Sequence, residues 1–144
     1  MRTKPSLILK RKIKASPAQV FGAWADPKKI VHWFGPKETA PGSVRAEMDV
    51  RPGGRYRLSF KTEEGDYHEV GGVYREVVPD SRLVFTWAWH STPERQSLVT
   101  VMVAQDGDGT MLTLSHEQFF DEEARDGHQR GWTGTLDRLD GYLS

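Results

Sequence analysis

The sequence predicts an α+β fold: an antiparallel sheet with one long helix laid across its apolar face. Three observations predict it. Six consecutive segments between Ser43 and Phe119 alternate apolar and polar residues and are separated by short turns. Two short helical segments follow the first strand, before any other strand begins. The stretch from Asp121 to Leu143 carries its apolar residues at helical spacing. Consecutive strands with short turns form an antiparallel meander. Its apolar face needs a cover, and only the last helix is long enough to supply one.

The first strand lies within Ser6–Ser16, where Leu7, Leu9 and Ile13 face inward and Arg11 interrupts their row. Ser16 is a good N-cap and Pro17 suits a first helical position, so a helix carrying Val20, Phe21 and Trp24 follows. Asp26-Pro27 breaks it, and a second short helix is expected from Lys28 to Phe34, ended by Gly35-Pro36. The later strands are expected at Val44–Val50, Arg55–Phe60, Tyr67–Val78, Arg82–Trp89, Ser97–Ala104 and Thr110–Phe119. Gly71-Gly72 suggests a bulge or sharp bend in the fourth strand. The turns EEGD and DGDG read as hairpins. Glu47 and Asp49 alternate with Ala46, Met48 and Val50 and are read as solvent-facing.

The last helix reads GWTGTLDRLDGYLS from Gly131. With roughly 100° per residue, Leu136, Leu139 and Leu143 fall close to Trp132, and His128 joins the stripe. Gly134, Arg138 and Gly141 fall on the opposite face, and Gly131 sits on the flank, where it would permit close approach at one edge. Either the apolar stripe overrides the poor helix propensity, or the helix is a loosened lid over a cavity.

The chain of 144 residues is the size of one domain, expected to span residues 1–144. Lys plus Arg equals Asp plus Glu at 20 each, so nothing in the overall charge pulls it toward nucleic acid or an anionic membrane. Arg2, Lys4, Lys10, Arg11, Lys12 and Lys14 make the start locally basic, and this is read as the solvated side of a strand. With no cysteine, disulfides, Cys-based zinc sites and Cys nucleophiles are excluded. No apolar run is long enough to span a membrane and no signal-peptide core is present, so a cytoplasmic location is expected. There is no nucleophile elbow, phosphate loop or Ser-His-Asp arrangement. Five scattered histidines show no metal-ligand spacing, and no cofactor is called for.

Several stretches in this order resemble a known family: SPAQVFGAW, WFGP, RPGGRYRL, GGVYREVVPDSRLVFTW, HEQF and GWTGTLDRLDGYL. The chain resembles the START-like (SRPBCC) helix-grip superfamily. More narrowly, it is similar to the bacterial branch named after the activator of heat-shock-protein-90 ATPase, the AHSA-type proteins. The resemblance implies a curved seven-stranded sheet gripping the C-terminal helix, with an apolar cavity between them closed at one end by the short helices. Family members bind hydrophobic small molecules, and some are cyclases or dehydratases. In the larger eukaryotic activators a separate N-terminal domain accompanies this one, and this sequence leaves no room for it.

With that cavity implied, parity on the strands and the helix stripe select the residues expected to line it. From the sheet come Tyr56, Leu58, Phe60, Phe85, Trp87, Val99, Val101, Leu112, Leu114 and His116. His128, Trp132 and Leu136 come from the helix, Trp33 and Phe34 from the short helices. Leu83, Val103, Leu139 and Leu143 are read as plain core. His116, His128 and Tyr56 would be the polar groups that orient a ligand, because a buried imidazole needs a partner. The expected function is binding of a small aromatic or lipid-like ligand without covalent chemistry. The alternatives are an enzyme acting on such a ligand, with His68, His116, His128 and Glu117 as available acid–base types, or a chaperone-interaction module. Exposed glycines on the helix back leave both a monomer and a homodimer open.

Overall fold

The computed structural model describes residues 4–144. Strand β1 (Leu7–Ile13) is followed by helices α1 (Pro17–Ala25) and α2 (Pro27–Ile30). Strands β2 (Arg45–Met48), β3 (Arg55–Lys61), β4 (Tyr67–Val78), β5 (Arg82–Trp89), β6 (Ser97–Asp106) and β7 (Gly109–Glu117) come next, and helix α3 (Glu122–Leu143) completes the order. All seven strands form one curved antiparallel sheet, ordered β1-β7-β6-β5-β4-β3-β2. The meander therefore runs from β2 to β7, and β1 is added beside β7 with Leu9 opposite Leu114. Helix α3 covers the concave face, as a helix-grip fold requires. No helix among the described residues is long and apolar enough to cross a membrane.

The period-two reading of β1 holds in detail. Leu7 and Ile13 are buried and Ile8 is exposed. Arg11, the charge in the inward row, reaches α3 and donates to Asp137 Oδ1 at 2.7 Å. Lys10, Lys12 and Lys14 are exposed, while Arg2 of the basic run lies outside the described residues. Glu47 pairs with Arg57 and Asp49 with Arg51, all toward solvent.

Helix α1 opens on a capping box: Gln19 N–H donates to the Ser16 hydroxyl, and the Gln19 side chain accepts from Ser16 N–H. Helix α2 is shorter than expected and stops at Ile30 rather than Phe34. Its continuation turns inward instead. Trp33 is fully buried and donates its indole N–H to Ala23 O at 3.2 Å. Gly35 then takes φ +104°, a left-handed conformation that favours glycine, and reverses the chain.

Gly71-Gly72 is not the bulge. The one-residue register shift between β4 and β5 falls later, between Tyr74 and Glu76. At Gly72 the reason for glycine is close approach. A Cβ there would lie 2.1 Å from Thr86 O and 2.5 Å from Thr86 Oγ1. The Thr86 hydroxyl accepts from Val73 N–H at 2.8 Å, and its carbonyl accepts from the Tyr56 hydroxyl.

The glycines of α3 also sort differently from the helical wheel. A Cβ at Gly131 would meet nothing within 4 Å, whereas one at Gly134 would sit 3.1 Å from Lys37 N. The close approach is thus on the back of the helix, where the loop after α2 folds over it. Arg138, on the same side, donates to Phe34 O at 2.7 Å.

Candidate functional site

Strand β5 sends Trp87 and Trp89 to the same face, two residues apart. Strand β3 supplies Phe60, whose cross-strand partner His68 on β4 packs ring against ring at 5.3 Å between centroids. Opposite them, α3 presents Ala124, Gly127, His128, Gly131, Trp132 and Thr135, a stripe at helical spacing. Phe34, Gly35 and Pro36 close one end. Between these walls lies an open cleft of about 850 Å³. Two glycines in the helical stripe leave space where side chains would otherwise fill it.

The floor of the cleft is fixed by two histidines and three tryptophans. His128 Nδ1 donates to Ala124 O at 2.7 Å, because a carbonyl only accepts. Its Nε2 is therefore an acceptor, and it receives the indole N–H of Trp89 at 2.9 Å and that of Trp87 at 3.3 Å. His116, directly behind, is fully buried. Its Nδ1 accepts from Trp132 Nε1 at 2.9 Å, so its proton sits on Nε2 and points at Ser97 Oγ, 2.7 Å away. The Ser97 hydroxyl passes on to Trp87 O at 3.2 Å. The two imidazoles are 5.1 Å apart, and every ring nitrogen has a partner that suits the neutral form.

Burial pushes both histidines below the ordinary value, His116 strongly so, and the neighbouring His128 pushes His116 further. For His128 the hydrogen bond to Ala124 O opposes the shift in part. A depressed histidine has a definite sign. Below about pH 6.5 the unfolded chain takes up protons that the folded imidazoles refuse, so stability falls as pH falls. Fully present, the effect is about 1.4 kcal/mol per pH unit for His116. His128 acts in the same direction. Urea unfolding at pH 7.5, 6.5 and 5.5 is expected to show stability dropping across the last interval; a flat profile would contradict the neutral assignment.

Of the residues expected from sequence, Phe34, Phe60, Trp87, His128 and Trp132 line the cleft. Tyr56, Leu58 and Phe85 instead surround a separate inner void of about 10 Å³, to which Phe34 and Trp87 also contribute. Trp33, Val99, Val101, Leu112, Leu114, His116 and Leu136 line neither and are packed in the core. On β6 and β7, Val101 lies opposite Leu114 and Val103 opposite Leu112, and all four are buried in the core. The cleft also uses residues the sequence reading passed over. Trp89 shares the parity of Trp87 and was legible from it. Tyr67, Glu69, His90, Arg95 and Arg130 form a polar rim on strand ends, loops and the exposed flank of α3. There Tyr67 donates to Glu69 at 2.7 Å, and Glu69 lies 3.7 Å from His90. Among the described residues no group of three His, Asp or Glu is placed to hold a metal ion.

No match was found among proteins of curated function. Solved structures match along nearly the whole chain. The AHSA1 protein from Silicibacter pomeroyi is 27% identical with a TM-score of 0.82, covering 96% of this chain and 97% of that one. A protein of Chromobacterium violaceum is 25% identical with a TM-score of 0.81 over 96% and 97%. An uncharacterised protein from Rhizobium leguminosarum is 27% identical with a TM-score of 0.78 over 96% and 93%. The sequence model of the family described as "Activator of Hsp90 ATPase homolog 1-like protein" matches residues 14–144. With the sheet, the gripped helix and that match together, the chain belongs to the Activator of Hsp90 ATPase homolog 1-like family.

Proposed function

We propose that the protein binds a small, largely apolar molecule with an aromatic or lipid-like body in the cleft between β3–β5 and α3, without covalent chemistry. The observation that carries this reading is an open cleft of about 850 Å³ whose walls are Phe34, Phe60, Trp87, Trp89 and Trp132. That is the size and character of a small-molecule site: apolar walls with a few polar groups. The apolar body stacks on the tryptophans, and the rim of Tyr67, Glu69, His90, Arg95 and Arg130 meets any polar head at the mouth. General acid–base work needs a titratable group free to take or give a proton at the substrate, and of the three histidines lining the cleft His68 and His90 are exposed to solvent. His128 faces the cleft, but its Nε2 already receives two indole N–H groups and its Nδ1 is bound to Ala124 O.

The test is a thermal-shift panel of fatty acids, sterols, flavonoids and polyketide-like aromatics. A ligand present at a hundred times its Kd adds about 2.7 kcal/mol. For a chain of this length the melting temperature is expected to rise on the order of 5 °C. Tryptophan fluorescence should respond with it. No shift across the panel would count against the cleft as a ligand site. The family description favours a chaperone-interaction reading as the rival, and a pull-down with the chaperone separates the two.

A further inference from the structure

Among the described residues, two buried side-chain nitrogens lack a hydrogen-bond partner, Trp24 Nε1 and Arg82 Nε. Arg82 still has Glu76 at 3.5 Å through another guanidinium nitrogen. Trp24 has nothing equivalent. It is 3% exposed, and a buried donor left unmade needs an explanation. Its neighbour Trp33 stands edge-on at 4.8 Å and offers at most a ring face, a weak acceptor.

Trp24 lines the inner void of about 10 Å³. The void is separated from the open cleft by two side chains, Phe34 and Trp87, which line both. Their rings lie 6.2 Å apart. Trp87 is tethered, since its indole N–H is given to His128. Phe34 has a fixed backbone, held by Arg138 at its carbonyl, but its ring has no polar anchor. The ring is held only by packing against Trp33, Phe60 and Trp87, and it lines both spaces. Of the other donors around the void, the Trp87 N–H is given to His128 and the Tyr56 O–H to Thr86 O, while the Tyr74 hydroxyl, also in the lining, is not among the buried groups left without a partner. The lining carries no charged side chain, so an anionic group arriving there would lose its hydration without compensation.

We propose that the void is the deep end of the ligand site, and that Trp24 donates its indole N–H there to a neutral acceptor oxygen at the buried tip of the ligand. This rests on the binding reading above and adds a substrate class to it: an elongated apolar molecule whose inner end carries a ketone, ester or ether. The Phe34 ring is the partition that such a molecule displaces. The polar head allowed by the rim and the neutral oxygen demanded by Trp24 are then at opposite ends of one ligand.

The test uses two probes of nearly the same shape, acetylnaphthalene and isopropylnaphthalene, of which only the ketone has an acceptor. They are titrated into the nitrogen-15-labelled full chain, whose five indole N–H signals are followed by NMR. The Trp24 signal is assigned from its loss in Trp24→Phe. The ketone is expected to bind about five- to tenfold more tightly than the hydrocarbon, and it alone should move the Trp24 signal downfield. In Trp24→Phe that preference should vanish. A ketone that moves the Trp87 and Trp89 signals but leaves Trp24 unchanged would overturn the inner site while leaving the cleft reading intact. If Trp24 N–H contacts a resident water in the free protein and the ketone does not displace it, the void is a water site and the proposal falls. If neither probe moves any indole, the inner site is likewise overturned, and the cleft reading then rests on the thermal-shift panel.

Discussion

Replacing Trp132 by alanine is expected to remove about 3–5 kcal/mol of stability, measured by urea unfolding at pH 7.5. Two costs combine. Trp132 is 4% exposed and packs on Trp87 at 5.1 Å and on Trp24 at 6.0 Å, so truncation leaves a cavity where three indoles met. It also strips His116 Nδ1 of its only donor, and a buried acceptor left without a partner costs about 1–3 kcal/mol by itself. Trp132→Phe separates the terms, since it keeps most of the ring packing but not the N–H. That variant should lose less, and its His116 should accept a proton more readily. A loss under about 1 kcal/mol in Trp132→Ala would mean that α3 is not held to the sheet through this contact. Because Trp132 is also a wall of the cleft, any ligand found in the thermal-shift panel should bind the alanine variant more weakly.

The second large effect is expected at Gly72. One added methyl group lies 2.1 Å from a backbone carbonyl of the neighbouring strand, and that carbonyl is already taken by Tyr56. The strand cannot yield as a flexible side chain would. Gly72→Ala should therefore cost about 3 kcal/mol or more, the upper end of overpacking. Gly141→Ala is the matched control. Nothing lies within 4 Å of its added carbon, and the helix propensity gained should stabilise by about 0.5–1 kcal/mol. Calorimetric melting of both variants beside the parent checks the pair; equal effects at the two positions would refute the close-approach account.

Period two made the strands legible, and Ile8 outward with Leu7 and Ile13 inward is an instance. The α3 stripe was legible for the same reason, and Trp132, Leu136 and Leu139 are all buried. What periodicity reports is the face a residue points from, not the distance to what it faces. Leu114 and Phe60 have equivalent signals, yet one ends in packed core and the other on the wall of a cleft. The difference depends on how closely α3 approaches each part of the sheet, a property of all the side chains between them. The histidines illustrate the same limit. Sequence placed both on apolar stripes, but their partners come from other elements: Trp87 and Trp89 on β5 for His128, and Ser97 on β6 with Trp132 on α3 for His116. Two residues of the rim had no signal, because Arg95 and His90 sit between strands where no periodic pattern marks a direction. A helical wheel puts Gly134 on the face opposite Trp132 and carries no signal of the loop at Lys37 that packs there.

The position of β1 sets the order in which the molecule can assemble. Among the described residues its only sheet partner is β7, and Leu7 lies opposite His116, about a hundred residues further along the chain. The intervening strands pair with immediate neighbours through short turns and are free to zip up locally. Strand β1 must wait, and so must the Arg11–Asp137 contact that ties it to α3. Closing a loop of that length carries an entropic penalty before any contact rewards it, so this edge of the sheet is expected to form late in folding. Until then Leu7, Leu9 and Ile13 remain an unpaired apolar edge. The lysines at positions 10, 12 and 14 that alternate with them act as gatekeepers, discouraging a second nascent chain from pairing there first.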